Sequence, residues 1–457
     1  MFRPRQGLAE AMDVVIVGAN DTAEQIAEAL HYAHNVTVLA ANEEAASAFE
    51  AMDVRFVQGN GADPENLRDA GADQADAVIA CTVNDDVNVL ACLAAKGLGT
   101  KRTMAFVTRE RYVHAFSREG AMESVNLMID RILWPQRTLA NQIVDIVRVP
   151  RALDSAFFAN GSVKLLEYKL EPNDPFHSKR IADIHLPQSV LVAGAIQEEA
   201  FVVPSGQTVL RTGDRVIFMG TAQSMRHLEA MFAPKKRTMN VTLVGGGNVG
   251  FMVAEQLQGE RANITIIEAD DARCNTLAKG LPKVTILKGD GTDVDLLEQE
   301  RIEDADVLVA ITNDDAKNLL TSLLAKELGI PKVITRVSKA GNRRLFARLG
   351  IDSPLAAYSV AVQEVLNWLH LNDVDHLASI EGHADVLELT YPHQCQAGKI
   401  SDLGTPPDSL IGAIVRKNRV IIPTGETTIQ HGDQLFVVTT PDNVEAVHAW
   451  LEPKMLV

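Results

Sequence analysis

The chain has 457 residues, 46% hydrophobic and 23% charged, which calls for several ordinary cores at roughly 150 residues each and excludes a disordered or fibrous protein. A formal net charge of −17 excludes the cationic face that a nucleic-acid backbone requires. No apolar run approaches the roughly 18 residues that cross a bilayer, and the N-terminus lacks the apolar stretch of a signal peptide.

In chain order, residues Met1 to Ala11 read as an upstream extension, because the first periodic pattern opens with "MDVVIVGAN" at Met12. "VVIVGAN" from Val14, "NVTVLA" ending at Ala40, "QGNGAD", "ADAVIACT" and "VTR" at Val107 then follow as short apolar runs and turns between helical patterns. A tail follows, "GAIQEEAFVVPSGQTVLRTGDRVIFMG" from Gly194, in which short strand-like runs are bounded by Pro-Ser-Gly and Gly-Asp turns. "APKKRTM", Ala233 to Met239, is polar and basic and reads as a junction.

Beyond the junction the pattern returns. "VTLVGGGN" at Val241, "NITIIE" ending at Glu268, "KGDGTD", "ADVLVAIT" and "ITR" at Ile334 repeat the first series at an offset of roughly 230 residues, about half the chain. The tail repeats too, as "GAIVRKNRVIIPTGETTIQHGDQLFVVTT" from Gly412. The continuous Val/Ile/Leu runs alternate with helices such as "NLLTSLLAKELG", the signature of buried parallel strands. The predicted fold class is therefore α/β, two tandem doubly wound parallel-sheet (Rossmann-like) domains, each followed by a small α+β subdomain. The expected boundaries are 12–145, 150–233, 238–370 and 378–457. The stretch "PLAAYSVAVQEVLNWLH", Pro354 to His370, is expected to be one helix with Leu355, Tyr358, Val362, Leu366 and Leu369 on its apolar face.

Chemistry concentrates in the second repeat. Gly245, Gly247 and Gly250 form GxGxxG between a predicted strand and helix, the setting in which such a loop cradles a pyrophosphate against a helix N-terminus. Glu268 ends the next strand, where a carboxylate holds a ribose diol and repels a 2′-phosphate. The first repeat keeps Gly18, but Asn20 and Ala23 stand for the second and third glycines and Ala40 for the acid, so its dinucleotide contacts are expected to be largely lost. Cys81, Cys92, Cys274 and Cys395 are scattered without a CxxC pair and read as reduced thiols of a cytoplasmic protein; His393 and Cys395 alone do not make a metal site.

"VGGGNVG" with Glu268, "KGDGTD", "AITNDDAKNLLTSLLAKELG" and "IDSP" from Ile351 resemble the second unit of the TrkA-type regulatory subunits of bacterial Trk potassium-uptake systems, which are built from two tandem RCK (KTN) units. The resemblance covers essentially the whole chain and implies RCK N and C subdomains in the order deduced above. It further implies that Gly245, Gly247, Asn248, Val249 and Gly250 cradle phosphates and that Glu268 holds an adenosine ribose. Asp290 would lie by the adenine, Thr312 and Asn313 over the phosphates, and Arg336 against them. Asp290 also fits as a plain turn residue and Arg336 as a surface ion pair. In the first repeat Gly18, Asn20, Asn60, Thr82, Asp85 and Arg109 occupy the related places as weaker candidates.

The expected function is a cytoplasmic, peripheral subunit on the inner face of the membrane. It would bind NAD(H) or ATP/ADP and bias the gate of a Trk-type potassium-translocating membrane subunit, with four chains forming a ring of eight RCK units. No catalytic residue and no metal are expected. The alternatives are an NAD-dependent dehydrogenase, which would need an acid/base constellation that the scattered histidines do not supply, and a nucleotide sensor for a different transporter.

Overall fold

The computed structural model describes residues 11–116, 129–149, 152–159, 161–198, 200–232, 238–338, 340–356, 359–369, 375–380, 383–393, 395, 397–417 and 419–451. The chain divides into two compact units, residues 1–139 with 356–365 and residues 140–355 with 366–457.

The first unit is built on β1 (Asp13–Val17), α1 (Asp21–Leu30), β2 (Asn35–Ala40), β3 (Val54–Gln58), α2 (Pro64–Asp69), β4 (Ala77–Ala80), α3 (Asp85–Leu98), β5 (Arg102–Phe106), α4 (Glu110–Phe116) and β6 (Arg131–Leu133). Its six strands pair in parallel in the order β3-β2-β1-β4-β5-β6. This order reverses direction between β1 and β4, which leaves a crevice at the carboxyl ends of those two strands. The strands are buried because helices cover both faces; β4, "AVIA", is buried at every residue. Val15, Val17, Leu39, Val78 and Ala80 pack there against Ala91, Cys92 and Ala95 of α3.

The second unit takes in most of α5 (Pro135–Arg148) and continues with an antiparallel sheet of β7 (Ala152–Phe158), β8 (Val163–Lys169), β9 (Val190–Gln197), β10 (Ala200–Val202) and β11 (Arg215–Thr221), closed by α6 (Ala222–Phe232). A second parallel arrangement then runs through β12 (Met239–Val244), α7 (Asn248–Leu257), β13 (Ala262–Glu268), α8 (Asp271–Gly280), β14 (Thr285–Lys288), α9 (Val294–Gln299), β15 (Val307–Ala310), α10 (Asp315–Glu327), β16 (Lys332–Val337), α11 (Ala340–Arg348) and β17 (Ser353–Ala356); α12 (Ser359–Leu369) follows in the chain, its residues up to 365 belonging to the first unit. The sheet order β14-β13-β12-β15-β16-β17 repeats that of the first unit element by element.

The last subdomain contains β18 (Asp375–Ile380), β19 (Ala384–Thr390), β20 (Gly398–Lys399), β21 (Ser409–Arg416), β22 (Arg419–Ile421), β23 (Thr428–Ile429), β24 (Gln434–Thr439) and α13 (Val444–Leu451). Its main sheet, β18-β19-β24-β21-β22, has the topology of the earlier antiparallel sheet. Inner faces of the two antiparallel sheets share one core, in which Phe158, Ile217 and Met219 meet Ala384, Ala413 and Phe436. Gly412 is required by this contact, since a Cβ there would lie 2.5 Å from Met219 Sδ. Among the described residues no helix is long and apolar enough to cross a membrane, and all four cysteines are free thiols.

One predicted element is corrected. Pro354 to His370 is not a single helix: Ser353–Ala356 is the edge strand β17, buried throughout, and helix α12 starts only at Ser359. Proline at position 354 fixes its own φ and biases Ser353 to an extended conformation, so the apolar run is spent on the sheet before a helix can begin. The buried stripe of α12 is Ala361, Val365 and Leu369 rather than Val362, Leu366 and Leu369; Tyr358 and His370 lie outside the described residues.

Candidate functional site

The carboxyl end of β12 runs into Gly245, whose φ of +112° is open to glycine and strained for other residues. A side chain at Gly245 would also lie 3.0 Å from Thr312 N at the end of the neighbouring strand. Gly250 has a different reason: its Cβ would fall 2.1 Å from Gly245 O, so the first turn of α7 presses directly on the glycine turn. Gly247 has no such reason, since a Cβ there would meet no atom within 4 Å. Gly247 is also the N-cap of α7, and no side chain caps that end. The helix therefore presents its first amides, those of Asn248, Val249 and Gly250 among them, without a side-chain acceptor from the chain. Asn248 is exposed and Val249 is buried in the core, so Val249 can offer the crevice only its backbone.

Glu268, half-buried at the end of β13, holds its carboxylate at the rim of this turn: Oε2 accepts from Gly246 N at 2.8 Å and Oε1 from Asp270 N at 2.9 Å. Two backbone donors orient the acid while leaving lone pairs for further donors such as ribose hydroxyls. Arg273 reaches the same turn from α8, Nε donating to Gly246 O at 2.5 Å.

Asp290 follows β14. Its Oδ1 accepts from Thr292 N at 3.0 Å and from Thr292 Oγ1 at 2.8 Å, and its Oδ2 from Lys317 Nζ at 2.8 Å. The Lys317 hydrogen bond first, and then those from Thr292, hold its carboxyl down at about 2. Asp290 thus closes its own turn and carries an ion pair to Lys317. Gly289 and Gly291 flank it because a Cβ at either would collide with Leu296 or Val244.

Thr312, Asn313 and Arg336 come together at the ends of β15 and β16. Arg336 Nη1 donates to Thr312 O at 3.2 Å and also to Asn313 Oδ1. The guanidinium is thus held across the β15 terminus. Behind them is a residue the motif reading missed. Asn318, fully buried on α10, accepts from Thr312 N at 2.9 Å and Thr312 Oγ1 at 2.7 Å, and donates to Thr312 O and Arg336 O, both at 3.1 Å. Asn88 makes the same four bonds in the first unit, to Thr82 N, Oγ1 and O and to Phe106 O. The sequence signal was the repeat itself, which places Asn88 and Asn318 each six residues after the threonine it holds, Thr82 and Thr312.

That last hydrogen bond corrects one correspondence. Asn88 donates to Phe106 where Asn318 donates to Arg336, and the strand registers agree: Ala77 pairs with Arg102 as Val307 pairs with Lys332. Phe106, not Arg109, is therefore the counterpart of Arg336. The "VTR" and "ITR" triplets are out of step, a coincidence of composition in two runs that hydrogen bonding keeps in another register. Arg109 is used elsewhere, donating through Nε to Asp85 Oδ2 at 2.9 Å and lying over the Tyr112 ring at 4.8 Å.

The other first-unit candidates form a turn that satisfies itself. Gly18 has a φ of +124°. Asn20 caps α1, its Oδ1 accepting from Ala23 N at 3.0 Å, and its Nδ2 donates to Cys81 O at 2.7 Å. Ala23, in the place of Gly250, is fully buried. The Ala40 side chain provides no acceptor at the strand end. Asn60 turns its side chain inward to Ala62 N at 3.1 Å, and Thr82 is engaged by Asn88.

Against known proteins, the TrkA-N domain matches residues 14–127 and 241–356, and the TrkA-C domain residues 165–233 and 399–452. The chain is 36% identical to a Trk system potassium uptake protein TrkA homolog of Archaeoglobus fulgidus, covering 95% of this chain and 99% of that protein. It is 28% identical to the Trk system potassium uptake protein TrkA of Haemophilus influenzae, over 97% of this chain and 99% of that one. Among solved structures it resembles the GsuK channel bound to NAD, with a TM-score of 0.65 at 19% identity, covering 97% of this chain and 79% of that one; at that identity the likeness concerns the fold.

Proposed function

Because the chain belongs to the TrkA family, with its TrkA-N and TrkA-C domains each present twice, we propose that it is a nucleotide-binding regulatory subunit of potassium uptake. In this reading the ligand is an adenine nucleotide, NAD(H) or ATP/ADP, held in the second crevice alone. The phosphates lie on Gly245, Gly247, Asn248, Val249 and Gly250, and the ribose on Glu268. Asp290, Thr312, Asn313 and Arg336 line the rest, and the four subdomains fall at 12–145, 150–233, 238–370 and 378–457.

The observation that carries this is Gly247. A glycine that neither backbone strain nor packing requires, at an uncapped helix end, is accounted for by a group outside the chain that must come close to the backbone. The first repeat supports it by contrast, because there the equivalent place is filled by Asn20 acting as its own cap.

Regulation requires only that the nucleotide bind two conformations of the assembly with different free energy, so no covalent step is involved. The protein would sit on the inner face of the membrane, four chains contributing eight RCK units to a ring, and bias the gate of a Trk-type potassium-translocating subunit. The test has two arms. Calorimetric titration of the purified chain with NADH, ATP and ADP should show saturable binding to at least one, and membranes carrying a Trk-type subunit should retain the protein. Indifference to all three nucleotides overturns the reading, and retention by another transporter overturns the choice of partner.

A further inference from the structure

Arg273 stands beside the acid of the second crevice, and the fold gives it no structural duty that its counterpart shares. It lies in the first turn of α8, where Asp270 caps the helix by accepting from Arg273 N at 2.7 Å. Its guanidinium turns back to Gly246 O at 2.5 Å, while Gly246 N donates to Glu268 Oε2 at 2.8 Å. A single glycine is thereby gripped through its N–H by a carboxylate and through its C=O by a guanidinium. Opposite charges are brought to the same end of the crevice, the end at which a ribose would lie.

The first repeat makes the same turn with neither group. Gly18 N donates to Leu39 O as Gly245 N donates to Ile267 O, and Gly59 N to Ala40 O as Gly289 N to Glu268 O. Asn42 caps the following helical turn, accepting from Glu44 N, as Asp270 caps α8. This register sets Ala40 against Glu268 and Ala45 against Arg273. The copy that lacks the acid also lacks the arginine, yet keeps the sheet, so neither group is needed to build the sheet or its turn.

We propose that Arg273 is a specificity-determining residue that, with Glu268, reads the 2′ position of an adenosine ribose. The carboxylate accepts from a 2′-hydroxyl and repels a 2′-phosphate. The guanidinium, a fork suited to phosphate oxygens, is the group that a 2′-phosphate meets once the carboxylate is gone. The proposal rests on the adenosine reading of this crevice, and its test separates the two. Affinities of the full-length protein are measured for two probe pairs, NADH with NADPH and AMP with adenosine 2′,5′-bisphosphate. The proteins are wild type, Glu268→Ser, Glu268→Ser/Arg273→Lys and Glu268→Ser/Arg273→Gln.

Wild type should prefer the 2′-hydroxyl member of a pair. Glu268→Ser should shift that ratio toward the 2′-phosphate by roughly tenfold or more, the scale of one charge-assisted hydrogen bond. Lysine at position 273 should keep much of the shift and glutamine should abolish it. A general loss of folding would lower both members of a pair together, so the ratio isolates the charge. If wild type binds but the ratio in the Glu268→Ser background is the same with arginine, lysine or glutamine at 273, this inference fails while the adenosine reading stands. If wild type binds no member of either pair, both fail.

Discussion

Asn20 Oδ1 accepts the amide of Ala23 at 3.0 Å, and so closes with the chain's own atoms the helix end that Gly247 leaves open in the later repeat. The two sheets share strand order and register, yet one crevice is self-satisfied and the other is not. Removing the cap should therefore destabilise without creating a site. Asn20→Ala is expected to cost about 1 kcal/mol, the usual worth of an N-cap, read as a lower urea midpoint. Nucleotide stoichiometry should stay as in wild type, because Ala40 still offers no carboxylate. A second equivalent bound by Asn20→Ala would show the plug alone decides occupancy.

Glycines that look alike in the motif separate by what surrounds them. Gly250→Ala sets a Cβ 2.1 Å from Gly245 O and must push helix from turn, costing about 1–3 kcal/mol of stability as overpacking does. Gly247→Ala meets nothing within 4 Å and should leave the melting transition nearly in place while weakening nucleotide binding. Equal losses of stability in the two variants would remove the argument that Gly247 faces a ligand.

Asn318 closes four hydrogen bonds inside a fully buried site. Asn318→Leu removes the buried amide that accepts from Thr312 N and donates to Thr312 O and Arg336 O, so a loss of about 2–4 kcal/mol is expected, with Asn88→Leu similar in the first unit. Urea unfolding of each variant checks this. A change near zero would mean that water replaces the amide.

Much of this architecture was legible because the repeat is carried by Val/Ile/Leu runs that must be buried on both faces, and burial constrains them strongly. The glycine turn and the acid at Glu268 were legible for the same kind of reason, a backbone and a charge requirement at a fixed place. Legibility failed where a short string stands for a three-dimensional relation. "VTR" and "ITR" match by letters, but the sheet pairs Ala105 with Ala80 and Thr335 with Ala310, which sets Arg336 against Phe106. Likewise Pro354 and Leu355 carry apolar character that suits a helix face or an edge strand, and only pairing to the sheet decides. The hydrogen bonds of Asn318 to two strand ends, and the return of Arg273 to Gly246, connect residues too far apart in sequence for periodicity to reveal.

Lys332 gives the protein a pH signature. Its ammonium position is fully buried at the start of β16, where Nζ donates to Ile146 O and to Val149 O, the latter at 2.8 Å. Burial lowers its pKa from 10.5 to about 7, with Asp352 opposing the shift. A lysine whose folded pKa lies below its unfolded one binds fewer protons when folded, so stability rises with pH between about 7 and 10.5. The slope is at most about 1.4 kcal/mol per pH unit. Urea midpoints across that window should climb in wild type more steeply than in Lys332→Met. Parallel curves would assign the dependence to other groups.

We propose that one crevice of two, the later one, holds an adenine nucleotide through Glu268. It is tested most directly by native mass spectrometry of the assembled protein with saturating NADH or ADP, on wild type and Glu268→Ala. The account predicts one ligand per chain in wild type and a loss of affinity of about 1–3 kcal/mol in the variant, the scale of a hydrogen bond to a charged group. Two ligands per chain, none, or an unchanged complement with unchanged affinity in Glu268→Ala would contradict it.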